Sequence, residues 1–218
     1  MRARRYGYLH GFGSGPASAK GLHLRQQVAA DGVELELLDV NVPNFETQTY
    51  SAVMRHLDAF DAETPAGMSL FLAGSSMGGY LAARWAELNP ERVSGLFLLC
   101  PGFDLASRWP EILGAEKFAR WERDGIIDGE DPTGNRRELH WEFVLDSRRH
   151  SAFPEVRCPT CIVHGTRDAV VPIELSRRYA AGREHVKLIE VDDGHPLADS
   201  LDRVADALRA SLGLTLPH

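Results

Sequence analysis

The stretch FLAGSSMGGY, residues 71–80, ends an apolar run at Gly74 and passes through two serines, a methionine and two glycines into a helical pattern. A strand that turns directly into a helix holds its middle residue in a strained backbone, side chain projecting off the sheet. Residues two positions either side then have to be small. Gly74 and Gly78 meet that demand around Ser76, and Gly79 adds room where the helix begins close to the sheet. On this reading Ser76 is the reactive serine, and Ser75 turns into packing or a backbone hydrogen bond. Taken alone, the pattern fits a tight turn with a passive serine equally well, so the partners of Ser76 decide.

Outward from this turn the chain repeats one rhythm: a short apolar run, a polar or glycine-rich turn, then a helical period. The predicted strands are 6–10, 33–39, 68–74, 93–100, 160–165 and 186–191; helices are expected near 17–30, 48–62, 77–88, 173–182 and 197–212. Ser18 and Thr47 are placed to cap the first two helices, and NPERV after Leu88 stops the third. Several strands are apolar at successive positions, as strands buried on both faces are. Strands alternating with helices imply a mostly parallel sheet of about six strands with helices on both faces. The fold class is α/β, and the 218 residues form one domain.

Residues 103–157 break the rhythm. This insert carries Trp109, Trp121 and Trp141, three of the four tryptophans. A helix near 111–123 is expected, then a hairpin running from GIID through GEDPTGN to ELHWEFVL. So long an insert in a compact domain reads as a lid over a site, with cover for a sheet edge as the plainer alternative.

Ligands of open parallel sheets bind beyond the carboxyl ends of the strands. Four motifs stand there: HGFGSGP (10–16), GSSMGG (74–79), HGTRD (164–168) and DDGH (192–195). A serine hydroxyl is a poor nucleophile until an imidazole takes its proton. His195, between Gly194 and Pro196, is the expected base, and Asp168 the acid that orients it. Asp104 is the rival acid; Asp192 and Asp193 read as capping and solubility residues. The backbone N–H groups of Met77 and Phe12 are the expected donors to a developing oxyanion, and the Phe12 ring is a candidate wall of the acyl pocket. A phosphate cradle is rejected, because GFGSGP lacks the glycine spacing of a dinucleotide fingerprint and has no Lys-Ser/Thr ending.

On HGFGS, GSSMGG, HGTRD and DGH the chain resembles the α/β-hydrolase superfamily over almost its whole length. The resemblance implies that the first strand is the one before the oxyanion loop, without the first two strands of larger members. YLHGFGSGPASAK with GSSMGGYLA resembles small bacterial esterases of the YqiA type. WERDGIID and the following hairpin pattern resemble the lid of serine esterases and thioesterases related to the mitochondrial acyl-glucuronide esterase. The resemblance implies a minimal α/β-hydrolase fold and hydrolysis of carboxylic esters or thioesters through an acyl-enzyme on Ser76, Asp168 and His195, with no metal or cofactor. A non-catalytic ligand-binding protein on the same fold and a peptidase are the alternatives.

Composition narrows the partners. A net charge of −7 offers no global basic field to nucleic acid. No window approaches the apolar length of a membrane span, and MRARRYGYLHGF lacks the hydrophobic core of a secretion signal. Cys100, Cys158 and Cys161 are few and odd in number, which suits a reducing cytoplasm; CPTC, with no second pair, reads as buried structural cysteine. The expected partner is a small acyl ester or thioester; oligomeric state is not legible. Trp109, Phe118, Trp121 and Trp141 are candidate pocket or lid residues, against the plainer reading of core aromatics. Arg136, Arg137, Arg148 and Arg149 are candidates for attracting an anionic substrate, against a solvated face.

Overall fold

The computed structural model describes residues 3–214. Six strands form one parallel sheet: β1 (Arg4–Leu9), β2 (Leu35–Leu38), β3 (Ser69–Ser75), β4 (Val93–Leu99), β7 (Thr160–Gly165) and β8 (Val186–Val191). Their order is β2-β1-β3-β4-β7-β8, all neighbours parallel. A separate antiparallel pair, β5 (Ile126–Glu130) and β6 (Arg136–His140), lies in the insert.

The helices are α1 (Ala19–Ala29), α2 (Tyr50–Ala62), α3 (Met77–Leu88), α4 (Leu105–Leu113), α5 (Ala115–Asp124), α6 (Glu142–Ser147), α7 (Ile173–Ala180) and α8 (Leu201–Leu212). Two apolar clusters flank the sheet. Leu24 and Val28 of α1 pack with Val204 and Leu208 of α8 against Phe71, Phe97 and Val163 on one face. Residues of α2, α3 and α7, with the insert aromatics, pack on the other. β3 is buried at all seven positions, as a strand covered on both faces has to be.

Strand order reverses between β1 and β3, which start crossovers in opposite directions. This leaves a crevice at their carboxyl ends. The loops after β1 and β3 carry Gly11–Phe12 and Ser76 into that crevice.

Local corrections have local causes. Thr49, not Thr47, caps α2 and accepts from the Ala52 N–H at 3.1 Å; Thr47 bonds Asn44 instead. Ser18 does cap α1. The expected helix at 111–123 is two helices broken at Gly114, whose φ of +82° suits glycine. α4 begins earlier, at Leu105, and tolerates Pro110 within it. The second arm of the hairpin ends at His140, and WEFVL becomes helical. Phe143, Val144, Asp146 and Ser147 are the buried positions of α6, a helical rather than alternating spacing.

Candidate active site

Ser76 has φ of +54° and ψ of −120° at the junction of β3 and α3, a backbone that non-glycine residues rarely adopt. The neighbours explain how this is held. A Cβ at Gly74 would lie 2.5 Å from the Gly78 carbonyl oxygen, and one at Gly78 would collide with the carbonyl oxygens of Leu9 and His10. At Gly79 it would lie 3.0 Å from the Gly74 oxygen. The Ser76 N–H bonds the Leu99 carbonyl at 2.8 Å, and its own carbonyl accepts from Gly102 at 2.9 Å. Ser75 is buried beside Tyr8.

His195 and Asp168 meet. His195 Nδ1 stands 2.6 Å from Asp168 Oδ2, and the Asp168 side chain is fully buried. The loops that carry them are stitched together: Arg167 N–H donates to Asp193 O at 2.9 Å, Thr166 N–H to Val191 O at 2.8 Å. A Cβ on Gly165 would collide with the Asp193 carbonyl. Oδ1 of Asp168 accepts from the N–H groups of Val170 and Val171, both at 2.8 Å.

His164 is a further partner that sequence reading did not single out. Its Nε2 lies 2.9 Å from Val171 O and 3.3 Å from Asp168 Oδ2. A carbonyl only accepts, so Nε2 carries a proton that faces both oxygens. Nδ1, 2.7 Å from Ser176 Oγ, then accepts from that hydroxyl in the neutral ring. Burial opposes the Asp168 charge. Hydrogen bonds from His164, His195 and the Val171 N–H outweigh it and hold the carboxyl well below its ordinary value. The histidine of HGTRD was visible in the motif; its contact with Asp168 was not.

Ser76 and His195 line one cleft with Gly11 and Phe12. No hydrogen bond joins Ser76 Oγ to the imidazole among the described residues, as is common before substrate tightens a site. A Cβ on Gly11 would lie 3.3 Å from Ser76 Cβ, so the peptide entering Phe12 runs beside the serine. Met77 opens α3, and its N–H has no intrahelical acceptor. His10 pins the first loop: its Nδ1 faces Gly11 O at 2.9 Å and its Nε2 accepts from Val40 N–H at 3.0 Å.

The rival acid is elsewhere. Asp104 caps α4 in a left-handed conformation and accepts from Ser107 Oγ at 2.6 Å. It lines a different cavity with Tyr50, Tyr80 and His150. Asp193 is buried and accepts from the N–H groups of Gly194 and Asp199, whereas exposed Asp192 pairs with Arg167.

The insert aromatics form a cluster of their own. Trp109, Phe118 and Trp121 are buried, Trp141 packs edge-on to Phe118 and Trp121, and Trp121 Nε1 donates to Leu139 O. None of the four lines the cleft with Ser76. The Phe12 ring joins this cluster through Trp109 and Phe143. The four arginines are largely engaged. Arg136 pairs with Asp128, Arg137 with Asp131 and Arg149 with Asp146, while Arg148 lies over Phe118 and Trp141.

Cys100 Sγ, Asp168 and His195 place ligand-type atoms within 4.8 Å of one another. They fit a metal ion poorly: His195 Nδ1 and Asp168 Oδ2 already bond each other at 2.6 Å, and Asp168 is further held by backbone N–H groups.

A family model for the uncharacterised protein family UPF0227 matches residues 5–209. The chain belongs to this family. No curated protein matches it. Among solved structures, Est1E from Butyrivibrio proteoclasticus superposes with a TM-score of 0.78 at 19% identity, over 97% of this chain and 87% of that one. Mouse alpha/beta hydrolase domain-containing protein 10 gives 0.76 at 18% identity, over 98% and 92%. The monoacylglycerol lipase of Paleococcus ferrophilus gives 0.74 at 17%, over 95% of each. These likenesses establish the α/β-hydrolase fold.

Proposed function

We propose that the chain is a serine hydrolase that cleaves carboxylic esters or thioesters through an acyl-enzyme. The observation that carries the reading is the bond of 2.6 Å between His195 Nδ1 and a buried, ionised Asp168, in a cleft shared with a serine held at positive φ. Asp168 fixes the ring so that Nε2 is left to face Ser76, and it stabilises the imidazolium once formed. His195 takes the Ser76 proton as Oγ attacks the acyl carbonyl. The N–H groups of Phe12 and Met77 receive the oxyanion. The imidazolium returns its proton to the departing oxygen or sulfur. Water, deprotonated by His195, then attacks the acyl-serine, and the acid leaves. No step calls for a metal or a cofactor. The esterase and the lipase among the structural neighbours agree with this class.

The segment 103–157 acts in this reading as a lid, its aromatic cluster reaching the cleft through the Phe12 ring, which packs on Trp109 and Phe143. A fluorophosphonate tests the whole assignment. Labelling that maps to Ser76 and disappears in Ser76→Ala is the expected result; an unlabelled, folded protein would end the serine-hydrolase reading. Ser76→Ala and His195→Ala each are expected to lower kcat on the order of 10^6-fold.

A further inference from the structure

The cleft of about 350 Å³ that holds Ser76 and His195 contains one cation whose partner is missing. Lys20 lines it, and no aspartate or glutamate does. Among the described residues no carboxylate lies within ion-pairing distance of the Lys20 ammonium. Its one hydrogen bond among the described residues is to the His195 carbonyl, at 3.3 Å, while an ammonium has three N–H donors. Asp168 and Asp193 are near enough to be felt electrostatically, but their carboxylates are occupied by His164, His195 and backbone N–H groups. Burial pushes the Lys20 ammonium below its ordinary value. An anion entering the cleft would relieve that cost.

Two further observations point the same way. The first turn of α1 faces the cleft with Ser18, Ala19 and Lys20. This helix has 11 residues, and Ser18 Oγ accepts from the Gly21 N–H. The N–H groups of Ala19 and Lys20 have no intrahelical acceptor, so the positive end of the helix opens beside the ammonium. Beneath this turn, Tyr8 is buried beside Ser18 and Ser75, and among the described residues its hydroxyl makes no hydrogen bond of good geometry with either. A helix end, an unneutralised cation and an under-bonded hydroxyl converge on one wall.

We propose that this wall is a carboxylate subsite, and that the substrate is an ester whose departing alcohol or phenol carries a carboxylate. The proposal rests on the serine-hydrolase reading of Ser76. The side is set by chemistry: the departing oxygen takes its proton from His195, so the leaving group lies on the His195 side. Lys20 is tied to the His195 carbonyl there, beside Pro196 and Ala198. When Ser76 Oγ bonds the acyl carbon, the ester C–O bond breaks. The imidazolium proton goes to the departing oxygen, and Lys20 holds the resulting hydroxy-carboxylate until it diffuses out. Water then completes the balance, giving one acid and one hydroxy acid per ester. A single ammonium with two free N–H groups matches a monoanion, in contrast to the arginine clusters that suit doubly charged phosphates.

The test uses the intact protein with Lys20→Met and Lys20→Arg. Calorimetry compares 3- and 4-hydroxybenzoate with the uncharged 3- and 4-hydroxybenzamides. The carboxylate of at least one isomer is expected to bind roughly tenfold or more tighter than its amide, a preference lost in Lys20→Met and kept in Lys20→Arg. The kcat/KM ratio of the acetoxybenzoate over the acetoxybenzamide is expected to fall by a similar factor in Lys20→Met, and to return in Lys20→Arg. Equal binding of acid and amide, a ratio unchanged in Lys20→Met, or tighter binding of inorganic phosphate than of either carboxylate would overturn the proposal. Lys20-dependent carboxylate binding without Ser76-dependent turnover would keep the subsite and remove the hydrolase reading. Ser76-dependent turnover indifferent to Lys20 would do the reverse.

Discussion

Asp168 is a carboxylate with no exposed side-chain surface and four N–H groups directed at it, from Val170, Val171, His164 and His195. Asn at this position keeps the size but offers a single acceptor oxygen, so one set of donors loses its partner and the His195 ring loses its counter-charge. Asp168→Asn is expected to lower kcat by about 10^4-fold. The same residue makes a pH prediction about stability. Its folded-state value is depressed below the ordinary carboxylate value of about 3.9. Ionisation of Asp168 therefore favours the folded state above that pH, and the contribution is lost as pH falls toward the folded-state value. Urea unfolding is expected to show a constant stability gap between wild type and Asp168→Asn from pH 7 to 5, narrowing below about pH 4. A gap that widens in acid would contradict the assignment of these hydrogen bonds.

At the scale of elements, the contact between α3 and β1 is made backbone to backbone. Gly78 lies so close to the Leu9 and His10 carbonyls that neither side can give way to a methyl group. Gly78→Ala is expected to cost about 3 kcal/mol or more in urea unfolding, although alanine is the better helix former. A stable Gly78→Ala variant would mean that α3 can lift off β1. The insert is held by a different device, a packed aromatic cluster in which Trp121 is 1% exposed and bonds Leu139 O. Trp121→Ala is expected to cost about 3–5 kcal/mol, with proteolysis falling first within 103–157. α6 is tied to α2 by the buried Asp146, which accepts from the Ser51 N–H and hydroxyl, both at 2.7 Å. That carboxylate sits at the positive end of α2.

For the whole molecule, the sheet is the barrier between two apolar clusters, and the three thiols belong to its packing. Cys100, Cys158 and Cys161 are all free and buried; burial pushes Cys158 up to about 11 and Cys100 up to about 12. A thiol reagent at pH 8 is expected to label none of the three in the folded protein and all three in denaturant. Rapid labelling of one in native buffer would show that its part of the core opens on its own.

Much of this was legible in the chain itself. Apolar runs of strand length, the glycines around Ser76, and motifs recurring at strand ends follow from local sterics and periodicity, which act between residues a few positions apart. β7 and β8 were located to the residue for that reason. The choice of cap at Thr49, the break at Gly114 and the helix after His140 turned on small local differences that packing resolved. What only the tertiary structure decided are the meetings of distant residues: His195 with Asp168 rather than Asp104, His164 on the same carboxylate, and Lys20 against the His195 carbonyl, 175 positions away. Those pairings depend on strand order, register and loop path, and no pattern of neighbours along a chain encodes where two loops will meet.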